Sequence, residues 1–166
     1  MYIEYNDYVT YYGKRVCFQD FNRLSIEACR KLDNHTTGAD GVKKLRHAFP
    51  VDADDAQAVK RCAAKIIHTM HQIQQAEATM ASGRGYESTE HGMRGKVISS
   101  VSAGNESISY STGGSAGESV IDLAVRDKHT RDKLISDIVR EGLSGVADAN
   151  GVNLLYMGPY PRRYLC

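Results

Sequence analysis

Few side chains in this sequence have the types and spacing that chemistry needs. His68 and His71 stand three apart, which on a helix would put them on one side, close enough to share a metal. No cysteine or carboxylate cluster at zinc spacing accompanies them, so a pair at the edge of a core is the simpler reading. Cys62 and His68 could be cast as nucleophile and base, but six residues along one helix they point about 120° apart. Asp52, Asp54 and Asp55 resemble half a calcium loop. The glycine and glutamate that such a loop needs are replaced by Gln57 and Ala63, and a helix N-terminus accounts for the acids. Gly83-Arg84-Gly85 and Gly113-Gly114 match no phosphate-binding loop and read as linker. No catalytic residue, no metal site and no cofactor is expected.

The elements around these residues are mostly helical by periodicity. Residues 5–13 suit a short helix, with Asn6 as the expected N-cap and Gly13 as its stop. Phe21, Leu24, Ala28 and Leu32 mark one buried face of a helix from Asp20 to Asp33. Thr36-Thr37-Gly38 and Asp40-Gly41 mark a turn, and Val42 to Ala48 a short helix closed by Pro50. Ala56, Val59, Ala63, Ile66, Ile67, Met70 and Ile73 form an unbroken apolar stripe, which predicts a long core-facing helix from Asp52 to about Ala81.

Residues 82–95 are glycine-rich and polar, a mobile loop by composition. Residues 96–111 alternate as a β-hairpin, with Val97, Val101, Ile108 and Tyr110 against a serine-coated face, and 112–117 read as a flexible linker. Ser119 and Asp122 make a capping-box-like start to another helix. Eight polar residues from Arg126 to Lys133 then require that it crosses solvent, or stops and restarts near Thr130. The stripe resumes at Leu134 and ends at Gly142. Two prolines, Pro159 and Pro161, predict an extended tail over 152–166. No internal repeat of solenoid length is visible. The fold class is therefore mainly α: one domain, 1–166, a small helical bundle around a long central helix, with an inserted hairpin and an extended C-terminal tail.

Composition narrows the function class. The chain has 166 residues and a formal net charge of +1, which argues against a protein that coats nucleic acid or a membrane surface. No apolar run reaches transmembrane length and no secretory signal is visible, so synthesis in a cytoplasm with reduced thiols is expected. The one skew is aromatic: ten Tyr against three Phe and no Trp. Five of the tyrosines lie in the first twelve residues and three in the last eleven. Amphipathic rings at both ends suit packing or subunit contact, so Tyr8 and Tyr11 are candidate subunit-contact residues together with Val97, Val101, Ile108 and Tyr110.

Four runs, in order, resemble one family. Met1-Tyr2-Ile3 with Glu4-Tyr5-Asn6-Asp7-Tyr8-Val9 and Gly13 is similar to the opening of tailed-bacteriophage head–tail connector (adaptor, head completion) proteins. Phe21, Leu24, Ala28, Leu32, Asp33 and Thr36 match that family's F-x-x-L-x-x-x-A-x-x-x-[LI]-D-x-x-T helix. The serine-rich run from Val97 to Tyr110 and the closing Leu154-Leu155-Tyr156-Met157-Gly158 resemble its strand segment and its terminal L-L-Y-R-G. Met157 stands where the family has a basic residue, and residues 145–151 are inserted before the tail.

The resemblance implies a structural virion protein, not an enzyme. Copies assembled in the host cytoplasm would form a cyclic ring, commonly a dodecamer, beneath the portal protein. The ring would extend the channel for phage DNA without reading its sequence and would seat a stopper or tail-completion protein, with no membrane involved. Such a ring uses heterologous contacts between copies. Tyr156, Tyr160, Arg162, Arg163 and Tyr164 are then the expected portal-contact residues. The alternative is a small helical nucleic-acid-binding regulator, whose recognition helix would run through Lys60, Arg61 and Lys65. An enzyme built on Cys62 or the two histidines is the least favoured reading.

Overall fold

The computed structural model describes residues 1–81, 86–89, 92–95, 97–102, 107–111 and 119–164, with side chains described for 1–79 and 119–164. Among these, six α-helices make the protein mainly helical. Helix α1 spans Tyr5–Tyr12, α2 Phe18–His35, α3 Lys44–His47 and α4 Ala53–Ala81. Strands β1 (Tyr86–Thr89) and β2 (Gly92–Gly95) pair antiparallel, as do β3 (Val97–Ser102) and β4 (Ser107–Ser111). Then come α5 (Val120–Arg126), α6 (Lys128–Gly142) and a single 3-10 turn at Arg162–Tyr164. Compact packing divides the chain into residues 1–71 with 132–166, and residues 72–131.

The first unit is built by the periodicities above. Phe21, Leu24, Ala28 and Leu32 of α2 are buried, and so are Val59, Ala63, Ile66, Ile67 and Met70 of α4. Ile135, Ile138 and Val139 of α6 complete the same core, with Ile3, Tyr8 and Leu154. Each helix start has a local cause. Asp52 Oδ1 accepts the amides of Asp54 and Asp55 at 3.0 and 3.1 Å, which begins α4 and accounts for the acidic run. Helix α1 is capped by Glu4 rather than the expected Asn6, because Glu4 and Asp7 close a reciprocal capping box. Where α6 crosses α4 there is room only for Gly142: a Cβ there would lie 3.0 Å from Cys62 Cβ and Sγ.

Within the second unit, Arg131 is the organising side chain. It donates to Glu77 at 2.5 Å and to the carbonyls of Ala124 and Val125 at 3.0 and 3.3 Å. Ser119 caps α5 as expected. The polar run breaks the helix, and it does so at Asp127, whose carboxylate takes the amides of His129 and Thr130 at 3.1 and 2.8 Å. Those bonds hold the Asp127 carboxyl below the usual carboxylate range, the Thr130 contacts contributing most.

Two features differ from the sequence reading. Segment 82–95 is not loop throughout, since β1 and β2 lie within it, joined in register from Tyr86–Gly95 to Thr89–Gly92. The apolar and serine faces expected of 96–111, and the linker 112–117, concern side chains and residues outside those described.

The other difference is an internal likeness. The turn after α2 and the turn after α6 carry the same hydrogen bonds. Gly38 donates to the Val42 carbonyl at 3.0 Å and Gly41 to that of Gly38 at 2.9 Å; Asp148 donates to Val152 and Gly151 to Asp148, each at 2.9 Å. Bridges Thr37–Lys43 and Ala147–Asn153 close them, and Gly41 and Gly151 both take the left-handed backbone that favours glycine. Every pair is 110 residues apart. The offset also holds for burial, since Ser25, Ala28, Asp33 and Thr36 correspond to Ile135, Ile138, Leu143 and Val146, all buried.

Candidate functional site: the clasp between the two turns

Residues 152–164 cross the first turn and are fixed there. Ala39 donates its amide to the Met157 carbonyl at 3.1 Å, and Ala149 of the second turn donates to Ala48 at 3.4 Å. The two turns therefore each bind the chain that leaves the other. Gly38 is needed for this approach: a Cβ there would fall 2.9 Å from the Gly158 carbonyl oxygen and 2.8 Å from Asp40 Oδ1.

Lys44 lies at the centre of the clasp and is fully buried. Its ammonium donates to the Leu154 carbonyl at 3.2 Å and to the Tyr156 carbonyl, and lies 5.9 Å from the centroid of the Tyr156 ring. Burial pushes its pKa down, while Asp148 and Asp40 oppose the shift. A buried amine of lowered pKa is the profile of a nucleophilic lysine. Here no surface of Lys44 is open to a substrate and two of its hydrogens go to backbone carbonyls, so the arrangement ties backbone.

Two carboxylates complete the tie. Asp40 Oδ1 accepts the Val42 amide at 3.2 Å and Oδ2 the Tyr160 amide at 2.7 Å. Burial works against the Asp40 charge, but these amides prevail and hold its carboxyl below the usual range. Asp148 Oδ1 accepts the Asn150 and Val152 amides, both at 2.9 Å, and Oδ2 accepts the Tyr160 hydroxyl at 2.5 Å. Tyr160 is 2% exposed and packs edge-on against His47, whose Nε2 lies 2.8 Å from the Tyr164 carbonyl oxygen. Burial, then the Asp148 bond, raise the Tyr160 phenol.

The residues expected at the portal are thus separated by the fold. Tyr160 is not a free anchor, because it is consumed in holding its own chain, and residues 152–164 are tied to both turns. Tyr156 and Met157 are 51% and 66% exposed, and Arg162 and Arg163 are exposed with Arg163 stacked on Tyr164. Among the expected subunit contacts, Tyr8 is a core residue and Tyr11 is half-buried. Strands β3 and β4 place Val97 opposite Ser111 and Val101 opposite Ile108, with Tyr110 opposite Ile98, but what their side chains meet lies outside the described residues.

The N-terminal tyrosines hold one of the two histidines, His68. Tyr12 stacks on His68 with centroids 4.4 Å apart, and the Tyr8 hydroxyl lies 3.2 Å from His68 Nδ1. Burial lowers the His68 pKa, with Arg15 and His71 adding to it. Among the described residues no three histidines, cysteines or carboxylates are grouped to hold a metal. Cys62 is buried and its thiol is pushed up to about 12 by burial, which makes it a poor nucleophile. Of the supposed recognition cations, Lys60 pairs with Asp7 at 3.1 Å and Lys65 with Glu141 at 3.3 Å.

Lys44, Asp40, His47, Asp148 and Asn150 were not singled out by sequence reasoning. The signal available was the recurrence of A-[DN]-G-V-x-x-L at Ala39–Leu45 and Ala149–Leu155. No helix among the described residues is long and apolar enough to cross a membrane. No protein-family model, no curated protein and no solved structure matches the chain.

Proposed function

We propose that this chain is a structural subunit of a phage head–tail connector ring, placed beneath the portal in the virion and extending the DNA channel toward a stopper or tail-completion protein. Two segments that resemble the family's signature runs, far apart in sequence, meet in one place. The Asp33 and Thr36 end of α2 leads directly into the first turn, and Leu154–Gly158 closes over that turn. Asp33 is held by Arg46, and Lys44, two residues earlier, holds Leu154 and Tyr156. That meeting supports reading the runs as parts of one architecture rather than as chance matches.

On this reading the inserted hairpin serves contact between copies by strand addition. The exposed Tyr156, Met157, Arg162 and Arg163 face the portal. Purified protein mixed with purified portal rings and imaged by electron microscopy should give portal-bound rings. A variant carrying Tyr156→Ala, Arg162→Glu and Arg163→Glu should keep its helical circular dichroism and lose portal binding. Equal binding by the variant would remove the portal assignment of these residues. A monomer that ignores the portal but binds DNA in a salt-sensitive way would favour the nucleic-acid regulator instead.

A further inference from the structure

We propose that residues 152–164 are a strap, releasable beyond Leu155, whose lock is Lys44, and that the first turn, 37–43, is the seat it closes on. The chain supplies its own control for this assignment. The residue 110 positions beyond Lys44 is Leu154, and both are fully buried. The register therefore accepts an apolar side chain at this point of the repeat. A buried ammonium in its place is costly unless its N–H groups find acceptors. Two of its three N–H groups are met by the carbonyls of Leu154 and Tyr156, 110 and 112 residues away.

The strap's remaining ties are also polar: Ala39 to Met157, Asp40 to Tyr160 and His47 to Tyr164 on the side of the first turn, and the Tyr160 hydroxyl with Asp148 and Asn150 on the second. Its apolar hold is confined to Leu154 and Tyr160, both buried, with Leu155 packed at the margin. Helices α2, α4 and α6 bury their stripes against one another with no contribution from residues beyond 155. Local opening therefore has a defined boundary at Leu155: Leu154 stays in the core, and residues 156–164 can leave the seat while that core stays closed. The device stands independently of the ring reading.

Hydrogen exchange on the full chain separates the outcomes. In Lys44→Leu the amides of Ala39 and Tyr160, which bind strap and seat together, should exchange about ten-fold faster or more, while those of Ala28 and Ile66 in the core keep their rates. Unchanged exchange at Ala39 and Tyr160 would overturn the lock. Acceleration of all four amides together would overturn it too, since Lys44 would then be an ordinary core residue. If Lys44→Leu does not fold, Asp40→Asn is read the same way: it leaves one acceptor for the Val42 and Tyr160 amides, so Tyr160 and Ala39 exchange must rise while Ala28 and Ile66 keep their rates. If it does not, the strap is not separately releasable.

Discussion

The Tyr160 hydroxyl donates to Asp148 Oδ2 at 2.5 Å, with both side chains withdrawn from solvent and Asn150 Nδ2 donating to the same hydroxyl at 2.9 Å. This three-member network joins the end of the strap to the second turn. Tyr160→Phe keeps the ring's packing against His47 but leaves a carboxylate oxygen and an amide hydrogen without their partner. A loss of about 1–3 kcal/mol is expected, read as a lower urea midpoint with an unchanged slope.

Asp33 is 1% exposed at the end of α2, bound by Arg46 Nε at 2.6 Å and by the Tyr2 hydroxyl at 2.5 Å. Arg46 itself is largely exposed, so water already screens part of the pair. Arg46→Ala should lower the urea midpoint, mainly because a buried carboxylate loses its cation. Burial and the Asp33 bond raise the Tyr2 phenol far above its ordinary value. Tyr2 absorbance should therefore fail to ionise with the exposed tyrosines in an alkaline titration of the folded protein.

Acid should weaken the fold before any carboxylate titrates. His35 and His68 both have pKa values lowered by burial, His35 further by Lys31 and Arg140. The unfolded chain then binds protons at a higher pH than the folded one. Stability is complete above the ordinary histidine pKa, about 6.5, and falls as pH drops through it toward the folded values. The melting temperature should decline between pH 7.5 and 5.5, and the decline should shrink in the His35→Gln, His68→Gln double variant. A flat profile in the parent would contradict the burial argument.

Thiol labelling in native buffer should discriminate sharply. Cys17 is exposed at the start of α2, Cys29 is half-buried with its thiol raised by burial, and Cys62 is buried with its thiol near 12. Among the described cysteines, iodoacetamide at pH 8 should modify Cys17 first and leave Cys62 unmodified until denaturant is added. Early labelling of Cys62 would mean that the α4–α6 contact at Gly142 opens readily.

Periodicity made the helices legible. The stripes of α2 and α4 needed only 3.6-residue spacing to be read, and the polar run from Arg126 to Lys133 announced a break. Its position at Asp127 depended on which side chain captured the next amides, a choice that spacing alone does not make. The ties of the tail were not legible in the sequence, for a physical reason. Pro159 and Pro161 do forbid a helix, but a non-helical segment can still be tied down by partners 110 residues away. Lys44 was hidden for a related reason: in Lys43-Lys44-Leu45-Arg46 it looks like one more surface cation, and only the carbonyls brought from the far end make its burial tolerable. The paired turns share just Ala, Gly, Val and Leu at four of seven positions, too little to stand out from chance.

The ammonium of Lys44 also imposes an order on synthesis. Its seat is made with α2 and α3, but its acceptors leave the ribosome 110 and 112 residues later. Until Leu154 and Tyr156 arrive, the nascent chain carries a cation where its finished core admits no water. A chain broken off short of that point cannot close around Lys44 without leaving it unsatisfied. The fold thus checks, through one side chain, that the segment carrying Leu154 and Tyr156 has been made.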